Sequence, residues 1–195
     1  IYVPKGETCK AYLILFNEIK IKWKYKPQDY VYSNITLDPN GTILFSSYDH
    51  SGRLGAYLYA LNPDGTLKWR FHIGGTVAAV PLSCEDRTVY FVSNDTARTY
   101  FYLYALRKDG GLKWRRRLPN GKSATSMTLG SQGNLYLLCF DGTIYSFTKQ
   151  GGIVWSRKYH KGPIDIEQLS VAKDGTIYTS ATYKNNDNYV LALNP

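Results

Sequence analysis

Histidine and cysteine are the residue types through which this chain could most readily catalyse a reaction or bind a metal. The three histidines, His50, His72 and His160, are far apart in the sequence and form no HxH or HExxH pattern. The chain also contains no CxxC pair, no nucleophile elbow and no phosphate-binding glycine loop. We therefore predict no catalytic residue, no metal ligand and no cofactor, and we expect that the protein is not an enzyme.

The cysteines are odd in number and widely spaced, at Cys9, Cys84 and Cys139. Cys139 lies in the apolar run 135–140, where a cysteine usually behaves as a small buried apolar side chain. One disulfide among the three stays open at this stage. No apolar stretch of the sequence comes near the ~20 residues that a membrane-spanning helix needs.

Most of the carboxylates that could serve chemistry instead mark turns. Asp64, Asp109, Asp141 and Asp174 each directly precede a glycine, an order that is typical of tight hairpin turns. No calcium loop of the form D-x-D-x-D-G with a later glutamate occurs, and the nearest cluster, 185–188, is interpreted as a solvated loop. These aspartates are therefore predicted to be structural.

An internal repeat determines the elements that would position any site. Trp23, Trp69, Trp114 and Trp155 are separated by 46, 45 and 41 residues. Two further segments recur in a fixed order before these tryptophans. The nearer one covers 59–65, 104–110 and 145–151, with weaker copies at 13–19 and 191–195. The more distant one covers 39–45, 85–91, 131–137 and 173–179. Recurrence of whole segments at one period is typical of a repeat architecture.

Each repeat is predicted to consist of strands. Aromatic residues make up 15% of the chain and 18 residues are tyrosine, which favours strands over helices. Alternating runs joined by Asn-Gly and Asp-Gly turns give four strands per repeat, for example 33–37, 42–46, 57–61 and 67–71. We therefore predict an all-β fold, a β-propeller of four-stranded antiparallel blades with about four to five blades present.

The repeats suggest one domain, 1–195, with repeat boundaries near residues 1–23, 24–69, 70–114, 115–155 and 156–195. The first and last repeats are partial. The favoured interpretation is that these blades belong to a larger propeller of six to eight blades. In the alternative, the chain closes on itself, and residues 19–25 supply the tryptophan strand that the last repeat lacks.

The segments at 59–69, 88–93 and 103–106 resemble the pyrroloquinoline-quinone-like (PQQ-like) β-propeller repeat, and the resemblance covers nearly the whole chain. In that family an Ala, an Asp or Asn, a Gly and a Trp form a motif that joins adjacent blades. The turn here is one residue shorter than in the quinoprotein enzymes. The positions that the resemblance assigns to blade docking are Ala60, Asn62, Gly65, Trp69, Ala105, Gly110, Trp114, Gly151, Trp155 and Trp23.

The resemblance favours the non-enzymatic branch of the family. Its quinoprotein dehydrogenases bind the quinone and a calcium ion at the centre of eight blades and carry adjacent cysteines, which this chain lacks. Its other members use the propeller as a binding scaffold. The resemblance therefore implies a binding or scaffold module in a periplasmic, cell-surface or secreted protein, with a fragment of a PQQ-dependent dehydrogenase as the alternative.

The net charge of +9 is concentrated beside the tryptophans, where 12 of the 24 basic residues lie. Lysine on an outer strand protects its unpaired edge from aggregation, and this explains much of the pattern. The same side chains would also form a basic rim that attracts an anionic partner. The residues assigned to this rim are Lys20, Lys22, Lys24, Lys26, Arg115 and Arg117.

The function predicted from the sequence is therefore a non-catalytic propeller that binds a protein or another ligand. A polyanion or an anionic surface is a second alternative partner. Nucleic acid is not expected, because the tryptophan and tyrosine rings should face inward between blades and be unable to stack on bases.

Overall fold

The computed structural model confirms an all-β fold. It describes residues 20–48, 56–95, 97, 99–119, 123–159, 168–182 and 188–194. The strands of this part of the chain form four antiparallel sheets, which follow one another in sequence and which we call blades 1 to 4. No helix in the described residues is long and apolar enough to cross a membrane.

Consecutive strands are neighbours in blades 2, 3 and 4, and in blade 1 from its third strand onward. Blade 1 contains β1 (Tyr30–Val31), β2 (Thr36–Leu37), β3 (Ile43–Tyr48), β4 (Ala56–Leu61) and β5 (Leu67–Ile73). Blade 2 contains β6 (Leu82–Ser83), β7 (Val89–Asn94), β8 (Phe101–Leu106) and β9 (Leu112–Arg117). Blade 3 contains β10 (Ala124–Leu129), β11 (Leu135–Cys139), β12 (Thr143–Phe147) and β13 (Ile153–Lys158). Blade 4 contains β14 (Leu169–Val171), β15 (Ile177–Thr182) and β16 (Asn188–Leu193).

Glycines in the left-handed conformation form the tight turns, as the Asn-Gly and Asp-Gly pairs predict. Positive φ angles of 77° to 93° are found at all five of these glycines, namely Gly41, Gly65, Gly110, Gly142 and Gly175. Where an aspartate precedes the glycine, its carboxylate accepts a backbone N–H two residues further on, as Asp64 does from Thr66 at 2.9 Å. The aspartates thus have the turn role that the sequence indicates.

The innermost strand of blade 1 differs from its predicted course over 33–37. It is divided into β1 and β2, which both pair with β3. Between them, the backbone N–H of Ser46 donates to Ser33 Oγ at 2.8 Å. A side-chain oxygen thus takes a hydrogen bond that a regular ladder would give to the backbone, and the strand is interrupted there.

The hydrophobic core lies between blades. One cluster joins Leu58 of blade 1 to Phe91 and Tyr104 of blade 2, whose rings stack at 4.8 Å between centroids. A larger cluster joins blades 2 and 3 in the same way, and a smaller one joins blades 3 and 4. Each blade therefore needs a neighbour to cover its apolar faces, as expected for a stacked repeat.

Residues 20–26 lie against blade 1. The Tyr25 ring contacts the rings of Phe45 and Tyr59, with centroid distances of 6.3 and 6.0 Å. Among the described residues, no strand ladder joins this segment to β16, the last strand of blade 4. How the ring is completed stays a prediction.

Candidate binding surface

The blades are joined by one hydrogen bond that recurs along the chain. The indole Nε1 of a tryptophan donates to a backbone carbonyl in the next blade's outer turn: Trp23 to Pro63 at 3.0 Å, Trp69 to Lys108 at 2.9 Å and Trp114 to Lys149 at 3.2 Å. The donor and acceptor are 35 to 40 residues apart in sequence.

Small residues make room for these indoles. Gly65, Gly110 and Gly151 lie directly against the rings of Trp23, Trp69 and Trp114, respectively. Ala60 and Ala105 pair across the sheet with the tryptophan of their own blade, and the ladder register shifts at the next residue. A β-bulge at this position increases the local twist of the strand.

Asn62 and Trp155, which were also assigned to blade docking, have contacts within their own blades, and Trp155 also packs against the cluster that joins blades 3 and 4. The Asn62 side chain donates to Thr66 Oγ1 at 2.9 Å within its own turn. Trp155 packs edge-on against Tyr136 at 5.8 Å. The position equivalent to Lys108 in the turn after β16 is Pro195, which lies outside the described residues.

The basic side chains next to the tryptophans form the outer surface of the blades. All twelve are exposed. Those of blades 1 to 3 belong to β5, β9 and β13, the outermost strands of their sheets. Lys113 pairs with Asp86 at 3.8 Å, and none of the other eleven makes an ion pair with a described residue. The surface is thus cationic and its charges are mostly uncompensated by described carboxylates.

The residues assigned to the basic rim are exposed and belong to two parts of the chain. Lys20, Lys22, Lys24 and Lys26 belong to the segment that lies against blade 1, whereas Arg115 and Arg117 are on β9 of blade 2.

Arginine side chains on blades 1 and 2 are placed over tyrosine rings, which the sequence analysis did not detect. The Arg70 guanidinium lies 5.0 Å from the Tyr57 centroid, and at the equivalent positions of blade 2 Arg115 lies 5.2 Å from that of Tyr102. Arg117 lies 3.4 Å from the Tyr100 centroid. We call these three pairs the Arg–Tyr rim. The repeat alignment held a signal for it, since Tyr57 with Arg70 and Tyr102 with Arg115 have the same spacing of 13 residues.

The described thiols are poor nucleophiles. Burial raises the pKa of the Cys84 thiol to about 11, so the thiolate is scarce at neutral pH. Cys139 is buried in the same cluster, and no disulfide joins it to Cys84. Cys9, His50 and His160 lie outside the described residues. Among the described residues, no group of three or more His, Cys, Asp or Glu side chains is arranged to hold a metal ion.

An apolar surface on the innermost strand of blade 1 also escaped the sequence analysis. Its side chains are between 53% and 70% exposed: Tyr30, Val31, Tyr32, Ile35 and Leu37. Strand patterning could not reveal this, because exposure here depends on whether another blade lies beside blade 1.

Comparison with solved structures confirms the β-propeller fold. A catalytically inactive virginiamycin B lyase from Staphylococcus aureus with quinupristin is 17% identical with a TM-score of 0.64, and the alignment covers 88% of this chain and 58% of that one. BamB from Moraxella catarrhalis is 18% identical with a TM-score of 0.62, covering 88% and 53%. BBS1N, solved in complex with ARL6DN, is 16% identical with a TM-score of 0.57, covering 87% and 53%.

This chain thus spans little more than half the length of each of these three propellers. No protein-family model matches the sequence, and neither does any curated protein. Identities this low show the fold alone.

Proposed function

We propose that this protein is a non-catalytic β-propeller module that binds an acidic surface of a partner protein through the Arg–Tyr rim of blades 1 and 2. The observation that carries the proposal is the repeated placement of exposed arginines over tyrosine rings without an acidic partner among the described residues. Arginine and aromatic residues are enriched at protein interfaces, and tyrosine and arginine are among the residues that contribute most to binding energy there.

The stacking also lowers the cost of binding. A guanidinium held over a ring has lost part of its rotamer freedom before the partner arrives, so less conformational entropy is lost on association. The antiparallel blades behind it supply a rigid support. BBS1N, a propeller of similar fold, was solved with a protein bound, which is compatible with this role.

We further propose that the chain belongs to the non-enzymatic branch of the PQQ-like repeat family. The contact of Trp23, Trp69 and Trp114 with a glycine supports the family, and the lack of adjacent cysteines in the sequence supports the branch.

Photo-crosslinking from the rim tests the binding proposal. A photoreactive phenylalanine analogue at Tyr57 or Tyr102 should give the same discrete protein adduct in an extract of the native source. The same analogue at Tyr178, an exposed tyrosine of blade 4, should not. Adducts of equal yield from all three positions would contradict a specific rim.

Matched charge reversals separate protein binding from a general attraction to anions. The Arg70→Glu/Arg115→Glu variant should lose the adduct. Arg157→Glu/Lys158→Glu changes the charge equally on β13, whose arginine lies over no tyrosine ring of the described residues, and should keep the adduct. If both variants instead weaken retention on heparin equally and neither changes the adduct, the unpaired rim charges serve polyanion binding, the second candidate.

A further inference from the structure

The turn between β6 and β7 departs from the same turn in the other three blades. Arg87 has a φ of 60°, in the left-handed region. At the equivalent positions the chain has Gly41, Gly133 and Gly175, with φ angles of 77°, 82° and 93°. Because an arginine is strained in a conformation that glycine adopts freely, the turn itself does not account for this side chain.

Arg87 lines a cavity of about 380 Å³ between blades 1 and 2. Lys68 and Trp69 of β5 form one side, and Lys108 and Asp109 come from the turn between β8 and β9. This volume lies within the range of small-molecule sites. The cavity therefore combines three cations, one carboxylate and an indole ring.

The three cations of this cavity differ in how far carboxylates compensate their charge. Lys68 donates to Thr42 Oγ1 at 2.8 Å and lies near the Asp38 carboxylate. Asp109 accepts the N–H of Gly111 at 2.9 Å and pairs with Arg107 at 3.6 Å. Lys108 makes no ion pair with a described residue but is close enough to help lower the pKa of the Asp109 carboxyl. The Arg87 guanidinium has neither a hydrogen bond nor an ion pair with a described residue.

The groove between blades 2 and 3 provides an internal comparison. Its lysines, Lys113 and Lys149, are equivalent to Lys68 and Lys108 of the first groove, which contains the cavity between blades 1 and 2. Gly133 takes the place of Arg87. Asp86 pairs with Lys113 at 3.8 Å, and Lys149 is close enough to help lower the pKa of the same carboxyl group. Carboxylates therefore lie near the lysines of both grooves, and the additional Arg87 guanidinium distinguishes the first.

We propose that the cavity between blades 1 and 2 binds a phosphate or sulfate monoester of a small organic molecule. The Arg87 guanidinium donates two hydrogen bonds to oxygens of the ester, a geometry for which arginine is suited. Lys108 and Lys68 add positive charge, and the organic group packs against the half-buried Trp69 ring. None of the residues that line this cavity belongs to the Arg–Tyr rim, so the proposed site does not depend on the proposed protein-binding function.

Calorimetric titration of the full chain tests the site with glucose 6-phosphate, glucose 6-sulfate, phenyl phosphate and inorganic phosphate. We expect at least one ester to bind at least about fivefold more tightly than inorganic phosphate, and the preferred one identifies the acid and the organic group. Arg87→Gly should weaken its binding about tenfold or more and leave the thermal midpoint unchanged or higher, since glycine relieves the strained φ. Lys108→Ala should also weaken binding, whereas the matched control Lys149→Ala should not.

Three results would overturn the proposal: no binding of any ester in the millimolar range, equal binding by Arg87→Gly and the unmodified protein, or equal weakening by Lys149→Ala and Lys108→Ala. None of these results bears on the crosslinked adduct, so the site and the protein-binding rim stand or fall separately.

Discussion

At the scale of single residues, the junction between blades depends on a glycine and an indole ring in contact. Gly110 has a φ of 85°, and a Cβ added to it would lie 2.7 Å from Cδ2 of Trp69. Glycine is thus required there twice, once by its backbone conformation and once by the space that the ring leaves.

Gly110→Ala should therefore lower the free energy of unfolding by about 2 to 4 kcal/mol, from left-handed strain together with overpacking. Urea denaturation, monitored by tryptophan fluorescence, measures the loss of stability. The control is Gly111→Ala, where φ is not left-handed and the added methyl meets the movable end of the Arg107 side chain. A loss of equal size in both variants would show that the indole contact is not the cause.

Acid should destabilise the fold through its turn aspartates. Burial by itself would raise the pKa of the Asp38 carboxyl, but hydrogen bonds from Thr42 and Asn40 and the nearby Lys68 hold it below its ordinary value. A carboxyl with a lowered folded pKa contributes stability above about pH 4, which is lost as the pH falls through the folded pKa.

The thermal midpoint should consequently fall between pH 6 and pH 3, and it should fall less in Asp38→Asn, which retains an acceptor but does not ionise. Calorimetric scans across this range check the difference between the two proteins. If the thermal midpoint falls equally with pH in both proteins, Asp38 does not contribute to the loss of stability in acid.

The turn chemistry of single residues could be predicted from the sequence, and the site at Arg87 could not. Asp-Gly pairs fix the local backbone by themselves, so Gly65 and Gly110 have the conformation that the sequence predicts. Arg87 occupies a glycine position of the repeat, which the alignment alone reveals. The Arg87 side chain lines a cavity with Lys108 because of the way in which blades 1 and 2 pack together. No local sequence pattern predicts that packing.

At the scale of elements, the outermost strand of each of the first three blades has an edge without a partner strand among the described residues. On β9 the exposed Lys113, Arg115 and Arg117 alternate along the strand. Like charges on such an edge oppose pairing with the edge of another molecule.

Replacing Lys113, Arg115 and Arg117 with threonine should produce association that grows with protein concentration, because threonine favours strands and the repulsion is gone. Static light scattering measures it. A control with Arg107, Lys149 and Lys173 changed to threonine loses the same charge from turns and should stay dispersed. Equal association in both would assign the effect to net charge and not to the edge.

Strand positions were predicted closely where the pattern alternates. The predicted strands 42–46, 57–61 and 67–71 correspond to β3, β4 and β5, with ends that differ by no more than two residues. The division of the innermost strand into β1 and β2 was missed, because it depends on Ser33 bonding to a strand that is distant in sequence.

At the scale of the whole molecule, the blades form a row in which each contacts the next through an apolar cluster. Among the described residues, a tryptophan hydrogen bond also joins blade 1 to blade 2 and blade 2 to blade 3. Stability in such a row is a sum of local units and nearest-neighbour contacts. Exposed apolar side chains at both ends, such as Tyr30 and Val190, favour the prediction that further blades complete a ring.

Trp69→Phe should destabilise the protein locally, by about 1 to 3 kcal/mol, since it removes the hydrogen bond to Lys108 and part of the ring. Native-state hydrogen exchange should accelerate at amides of β4 and β8, in the blades that Trp69 joins, and stay unchanged in β12 of blade 3. Equal acceleration in all three strands would mean that the blades unfold as one cooperative unit.

The direction of the tryptophan contact has a consequence for biosynthesis. Each indole finds its acceptor in a turn that the ribosome makes 35 to 40 residues later. At about 5 to 20 residues per second, that interval lasts about 2 to 8 seconds. The blade that has just been synthesised therefore leaves the ribosome with the indole of its tryptophan unpaired, until the next blade packs against it. Blades thus assemble in order from the amino terminus. At each stage the apolar face of the last blade made is exposed and accessible to chaperones, until the next blade covers it.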